Sequence, residues 1–295
     1  MSDLPAGLHG VFRRNDLIFR LGLPAVRELL RAGRLVRYSR TVLIDRGRLL
    51  TLPTRAAAAL LHVGPRSALT SHTAALLFGC SAADATTIHV VCADDRKLTP
   101  RQGLALSRGF FDEDEVLELD GLRTLGLEIT IAEMLCTAAR PVALACTDQA
   151  LAALDPPFRA NFRAEVAMRL RTRADLRGIR RGEALLGLAS GRPESPAESH
   201  MLLTLYDAGL PIPALQHSIS DIAGRERYRI DFAWEEPRIA LEYDGRDAHE
   251  DRADQDADLR SRGWVVIRAT AADLREPARL VRALRAAFAR RRYAA

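Results

Sequence analysis

The stretch Tyr228-Arg-Ile-Asp231-Phe-Ala-Trp234, followed after Glu235-Glu-Pro237-Arg238 by Ile239-Ala-Leu-Glu242-Tyr-Asp244-Gly245, decides the fold of this chain. Each segment is short and alternates apolar with polar residues, the pattern of a half-buried strand. The intervening residues make a turn, so the pair reads as a hairpin. A period of two places Tyr228, Ile230, Phe232 and Trp234 on one face and Arg229 with Asp231 on the other. It places Ile239, Leu241 and Tyr243 together and Glu242 with Asp244 opposite them. If both apolar faces meet a core, Asp231, Glu242 and Asp244 converge on one side. Clustered carboxylates repel each other unless something positive sits among them, and a hard divalent cation with oxygen ligands is the simplest such partner. Gly245 permits a sharp exit from the strand, and His249 follows four residues later as a ligand or proton carrier. The same alternation would also serve a plain solvated face.

Upstream, Ser195-Pro-Ala-Glu198 has the spacing of a capping box with proline at the first helical position. It opens a helix whose apolar face is Met201, Leu202, Leu205 and Tyr206, closed by Gly209. A strand over 216–222 precedes the hairpin. Downstream, the acidic run 250–258 fails as a calcium loop, because Leu259 stands where glycine is needed and Val265 where the closing glutamate is needed. It reads instead as a solvated helix leading to Gly263. Then come a buried strand over 264–270 and a last helix with Leu280, Leu284 and Phe288 on one side and Arg279, Arg282 and Arg285 on another.

These motifs together resemble the very-short-patch-repair endonuclease-like branch of the PD-(D/E)xK nuclease superfamily. The resemblance rests on Glu198 in an opening helix, Asp231 in a strand, Glu242-Tyr-Asp244-Gly245 with His249, then Gly263-Trp264 and Val265-Val-Ile-Arg268. It covers residues 195–295. It implies a mixed sheet flanked by helices and phosphodiester hydrolysis with Mg²⁺ or Mn²⁺. It also implies a site of Glu198, Asp231, Glu242, Asp244 and His249, with Asp231, Glu242 and Asp244 as metal ligands. The superfamily's signature lysine is missing, since Lys97 is the sole lysine of the chain; in this branch Asp and His occupy that neighbourhood. For Glu198, a helix cap alone is an equally good explanation.

The 295 residues suffice for two or three domains. The formal charge of +5 is uneven. Residues 1–62 hold eleven arginines against Asp3, Asp16, Glu28 and Asp45, while the remainder is slightly acidic. A basic N-terminal module on a near-neutral body fits nucleic acid as partner, although a solvated basic face would look the same. The four cysteines lack metal-ligand spacing and read as reduced, buried thiols. No apolar run is long enough for a membrane span, and the start Met1-Ser-Asp-Leu-Pro5 lacks a signal-peptide lead, so the expectation is a cytoplasmic chain without membrane contact.

Residues 9–48 read as a winged helix. Asn15-Asp16 caps a helix over 17–21 ended by Gly22. Pro24 opens a second helix closed by Gly33, and strands over 34–38 and 41–44 form the wing. This layout sets the second helix in a major groove. It offers Arg27 and Arg31 from that helix, and Arg37, Arg40 and Arg46 from the wing, to phosphates. The stretch resembles the N-terminal winged helix of AbiEi-type antitoxins. Residues 63–150 continue that resemblance loosely, through a helix over 70–79 and a strand over 87–92. His72 and His89 sit on these elements, which explain both without a site. Residues 151–194 read as a helical bridge anchored by Leu170, Leu176, Leu185, Leu186 and Leu188, with Ser190-Gly-Arg-Pro193 as its linker.

The expectation is therefore an α/β (α+β) chain: a winged-helix DNA-binding domain (1–62), a middle α/β domain (63–150), a bridge (151–194) and an endonuclease-like domain (195–295). Three functions remain open at this point. One is a metal-dependent DNA endonuclease. The second is an antitoxin-like DNA-binding regulator whose nuclease fold is degenerate, partnered by a cognate toxin or a second copy. The third is an interaction module without either activity.

Overall fold

The hairpin forms as its alternation requires. In the computed structural model, which describes residues 4–5, 7–94, 101–220, 224–244 and 252–293, the two strands pair antiparallel with Phe232 opposite Leu241 and Trp234 opposite Ile239. The chain is a mixed α/β protein. It divides into two compact units, one holding the described residues up to Ala138 with Ala164–Ile179, the other Ala139–Arg163 with Arg180 onward. The expected bridge 151–194 is thus shared between the units.

The first unit begins with β1 (Val11–Arg13), α1 (Arg14–Leu21), α2 (Leu23–Arg31), β2 (Leu35–Arg37) and β3 (Val42–Asp45). Its sheet has the order β1-β3-β2 among the described residues. Strand β1 was not legible in sequence, because three residues give no period. Helix α1 starts at Arg14 on the end of β1, so the cap expected from Asn15-Asp16 does not form; Arg13 takes that position without a side-chain cap. Gly22 alone joins α1 to α2. Its φ of 82° makes the tight turn, and its N–H closes α1 on the Ile18 carbonyl at 2.8 Å.

Helix α3 (Leu52–Val63) follows, then β4 (Ser67–Leu69), α4 (Ser71–Leu77), β5 (Ile88–Cys92), β6 (Leu104–Arg108), β7 (Val116–Leu119), β8 (Leu122–Leu125) and α5 (Leu127–Thr137). The second sheet has the order β6-β5-β4-β8-β7 among the described residues. Ala56, Ala57, Ala58 and Ala59 are wholly buried. Helix α3 lies in one core that contains Val11, Val42 and Ile44 of the small sheet and Leu69, Ile88, Val90 and Leu122 of the larger one. A boundary at 62/63 would cut that core, so the segments before and after it fold as one body. With Ala56 to Leu60 buried in succession, the Ala-rich helix is a central element.

Next come α6 (Arg140–Ala152), α7 (Pro156–Arg171) and α8 (Ile179–Leu188). Leu170, Leu185 and Leu186 are buried, but Leu176 is 75% exposed and anchors nothing, because it lies in the break between α7 and α8. The second unit continues with α9 (Pro196–Asp207), β9 (Ala214–Ser220), β10 (Glu226–Trp234), β11 (Ile239–Asp244), α10 (Arg252–Ser261), β12 (Val265–Thr270), α11 (Ala271–Arg275) and α12 (Ala278–Arg290). The sheet order is β12-β11-β10-β9 among the described residues, and β11 runs parallel to β12. One face packs Phe232, Trp234, Ile239 and Leu241 on Met201, Leu202 and Leu205 of α9 and on Leu280, Leu284 and Phe288 of α12. Tyr206, expected on that face of α9, is 43% exposed.

Two details differ from the sequence expectation. Tyr228 and Ile230 pack with Ile219, Ala233, Ala240 and Leu259 rather than with Phe232 and Trp234, so the residues of β10 expected on one face divide between two apolar clusters. The supposed linker is also fastened. The N–H groups of Ser190 and Gly191 donate to Asp148 Oδ1 of α6, both at 2.8 Å. Ser199 Oγ of α9 donates to Asp148 Oδ2 at 2.8 Å.

Candidate active site

Helix α9 and strands β9, β10 and β11 bring Glu198, Gln216, Asp231 and Glu242 together. Ser195 caps α9, accepting the Glu198 N–H at 3.2 Å, while its hydroxyl donates to Glu198 Oε1 at 2.8 Å. Glu198 Oε2 accepts the N–H of Glu194 and Nε2 of Gln216, each at 2.9 Å. Glu198 is thus a cap residue and, through Gln216, a member of the site. Asp231 Oδ2 accepts the N–H of Tyr243 at 2.9 Å, and the Gln216 amide favours its charged form.

Glu242 is 8% exposed, and its Oε1 is buried without a hydrogen-bond partner. Such an orphan is costly, because a buried polar atom loses its water and gains nothing. Burial first, and then the charge of Asp231, lift the Glu242 carboxyl to about 8 against the opposing charge of Arg268. Burial also raises Asp231, against the Tyr243 N–H and the Gln216 amide. Glu198 is raised by burial as well, against the Glu194 N–H and the Ser195 hydroxyl.

Arg268 of β12 stands in register beside Glu242 and is committed elsewhere. Its Nη1 donates to Asp244 Oδ1 at 2.7 Å, its Nη2 to Asp256 Oδ1 at 2.6 Å and its Nε to Asp256 Oδ2 at 3.4 Å. Burial works against its charge, yet the bonds to Asp256 and Asp244 outweigh that and raise its pKa. Arg229 points away to surface pairs with Glu194 and Glu226. The site is therefore rich in carboxylate, and its arginine is held by two of its members.

A divalent cation fits this set. Asp231 and Glu242 offer hard oxygen donors, one of them without any donor of its own. Among the described residues no group of three or more His, Cys, Asp or Glu is gathered to enclose a metal; Mg²⁺ keeps several waters and takes one or two carboxylates, so it needs no such cage. His249 and Gly245 lie outside the described residues.

Sequence reasoning missed Gln216 and Asp256. Asp256 sits in an acidic run that reads as solvated, but its carboxylate is only 13% exposed. The signal was Leu259, three residues on, which is fully buried and marks the inward face of α10. Gln216 carries no comparable signal.

The first unit holds a second feature. Arg27 and Arg31 of α2, Arg37 of β2 and Arg46 line an open depression of about 550 Å³. All four side chains are exposed. Arg40 stands exposed at the wing tip, outside this depression. The rings of His72 and His89 lie 5.1 Å apart, and His72 Nδ1 accepts the Asp84 N–H at 3.0 Å; burial lowers both imidazoles.

Fold and site together define a mixed α/β protein with a buried carboxylate cluster on a four-stranded mixed sheet. The chain belongs to the same family as two uncharacterized proteins of Mycobacterium tuberculosis, MT2308 of strain CDC 1551 / Oshkosh and Rv2248 of strain ATCC 25618 / H37Rv. Each is 31% identical to it, over 77% of this chain and 83% of the relative. No family model matches the sequence. A solved structure, the RV2827C protein from Mycobacterium tuberculosis, is similar at 17% identity with a TM-score of 0.43, covering 72% of this chain and 83% of that one. No helix among the described residues is long and apolar enough to cross a membrane.

Proposed function

We propose that the second unit hydrolyses phosphodiester bonds in DNA with Mg²⁺ or Mn²⁺, and that the arginines of the winged helix hold the nucleic acid. The observation that carries this reading is Glu242 Oε1, buried and unpartnered beside Asp231. Asp231 and Glu242 would hold the cation, which lowers the pKa of a bound water and offsets charge on the phosphate. The Tyr243 N–H and the Gln216 amide orient Asp231. Asp244 and Asp256 hold Arg268 in place, and the guanidinium N–H groups those carboxylates leave over are donors for a phosphate oxygen. His249 is assigned proton transfer. In Asp231→Asn and Glu242→Gln, nicking of plasmid DNA in Mg²⁺ or Mn²⁺ falls by at least about 100-fold while circular dichroism stays native, as the loss of several kcal/mol of charge stabilisation requires. Variants that cut like wild type would move the activity away from this site.

The arginine-lined depression favours a second reading, a DNA-binding regulator resembling AbiEi-type antitoxins that acts in the cytoplasm with a toxin or a second copy as partner. A wild-type chain that shifts duplex DNA, loses the shift in Arg27→Glu/Arg31→Glu and cuts nothing would select it.

A further inference from the structure

Strand β9 contains a residue whose backbone does not suit a strand. Gln216 has a φ of 53°, although Leu215 and His217 on either side pair regularly with Phe232 and Ile230 of β10. This left-handed conformation strains any residue with a Cβ, and persists only where the surroundings over-determine it. Glycine would adopt it freely, yet the position holds a long amide. Gln216 stands across the ladder from Asp231, between those two pairs. Its Nε2 donates to Glu198 Oε2 at 2.9 Å, and the same amide favours the charged form of the facing Asp231. An amide nitrogen has two protons, so one side chain bonded to a carboxylate on α9 keeps a second proton for the carboxylate that faces it on β10. Glu242 Oε1 is then the oxygen left without a donor.

We propose that Gln216 is a positioning residue of the carboxylate site: its left-handed backbone turns one amide onto Glu198 and Asp231 together and fixes how that pair, with Glu242, presents oxygen to a divalent cation. This role rests on the metal-dependent reading of the site. It makes the strain at residue 216 functional, because the same backbone without the amide would leave Asp231 with the Tyr243 N–H as its remaining hydrogen-bond donor.

The test uses the full chain as wild type, Gln216→Gly, Gln216→Ala and Gln216→Met, with metal-free melting and Mn²⁺ calorimetry as readouts. Gln216→Gly is expected to melt at or above Gln216→Ala, because glycine removes the strain. All three variants are expected to bind Mn²⁺ at least about tenfold more weakly than wild type, the usual loss when an orienting partner is removed. Gln216→Met keeps the side-chain length and removes the donor, so its loss of binding assigns the effect to the amide rather than to packing. Wild-type Mn²⁺ affinity in Gln216→Gly and Gln216→Ala would overturn the positioning role alone. Gln216→Gly melting below Gln216→Ala would overturn the strain argument. A wild-type chain that binds no Mn²⁺ would overturn the metal-dependent reading and the role of Gln216 with it.

Discussion

Glu242 is where the chemistry is most exposed to measurement. Its carboxyl is raised to about 8 from an ordinary 4.5 by burial and by Asp231. The folded chain therefore keeps a proton that the unfolded chain releases, and stability falls as pH rises between those two values. Without metal, the wild-type melting temperature declines over that window, and in Glu242→Gln this component of the decline is absent; equal slopes would show that Glu242 titrates normally. On the proposed metal-dependent reading, binding needs the ionised form, so Mn²⁺ affinity is expected to climb with pH up to about 8 and then level. The alternation of β11 made Glu242 and Asp244 legible, because a period of two is a strong constraint on a short strand. Gln216 was not legible, since nothing in Leu215-Gln-His217 announces a left-handed backbone. Asp256 was hidden in an acidic run whose inward face one leucine marks. Asp244 was legible as a member of the cluster, but its bond to Arg268 was not, because the parallel pairing of β11 with β12 is set by a crossover.

Among the elements, α6 shows how much of a site's support lies far away in sequence. Asp148 is 1% exposed and holds Ser190, Gly191 and Ser199, so it fixes the chain where α9 begins, one residue from Glu198. Asp148→Ala leaves three donors without their charged acceptor and is expected to cost about 3 kcal/mol in a urea titration; a change below about 0.5 kcal/mol would mean that water replaces the carboxylate. Helix α3 poses the opposite problem, with no room rather than too many donors. Ala58→Leu is expected to destabilise by about 1–3 kcal/mol through overpacking, read from the same titration. The types of most elements were legible from period, caps and glycines. Element boundaries were less so, as at α1, where the expected Asn15-Asp16 cap gave way to a helix continuing directly from β1.

The whole molecule is built from discontinuous segments, which no local pattern predicts. The second unit includes residues 139–163, with Arg140 paired to Asp207 at 2.7 Å. A 195–295 fragment lacks α6, and with it the Asp148 anchor, so it is expected to show no cooperative unfolding by circular dichroism while the full chain does; a cooperative transition in the fragment would show that α9 needs no support from α6. The charge asymmetry was legible in the eleven arginines of residues 1–62. If the arginine-lined depression binds DNA phosphates, removing Arg27 and Arg31 lowers the slope of log affinity against log salt by about 2. The most direct test of the central claim is Mn²⁺ calorimetry at about pH 8 on wild type and Glu242→Gln. Wild type is expected to bind with proton release, and a Glu242→Gln chain that remains folded to bind none. Equal binding by both would contradict that claim.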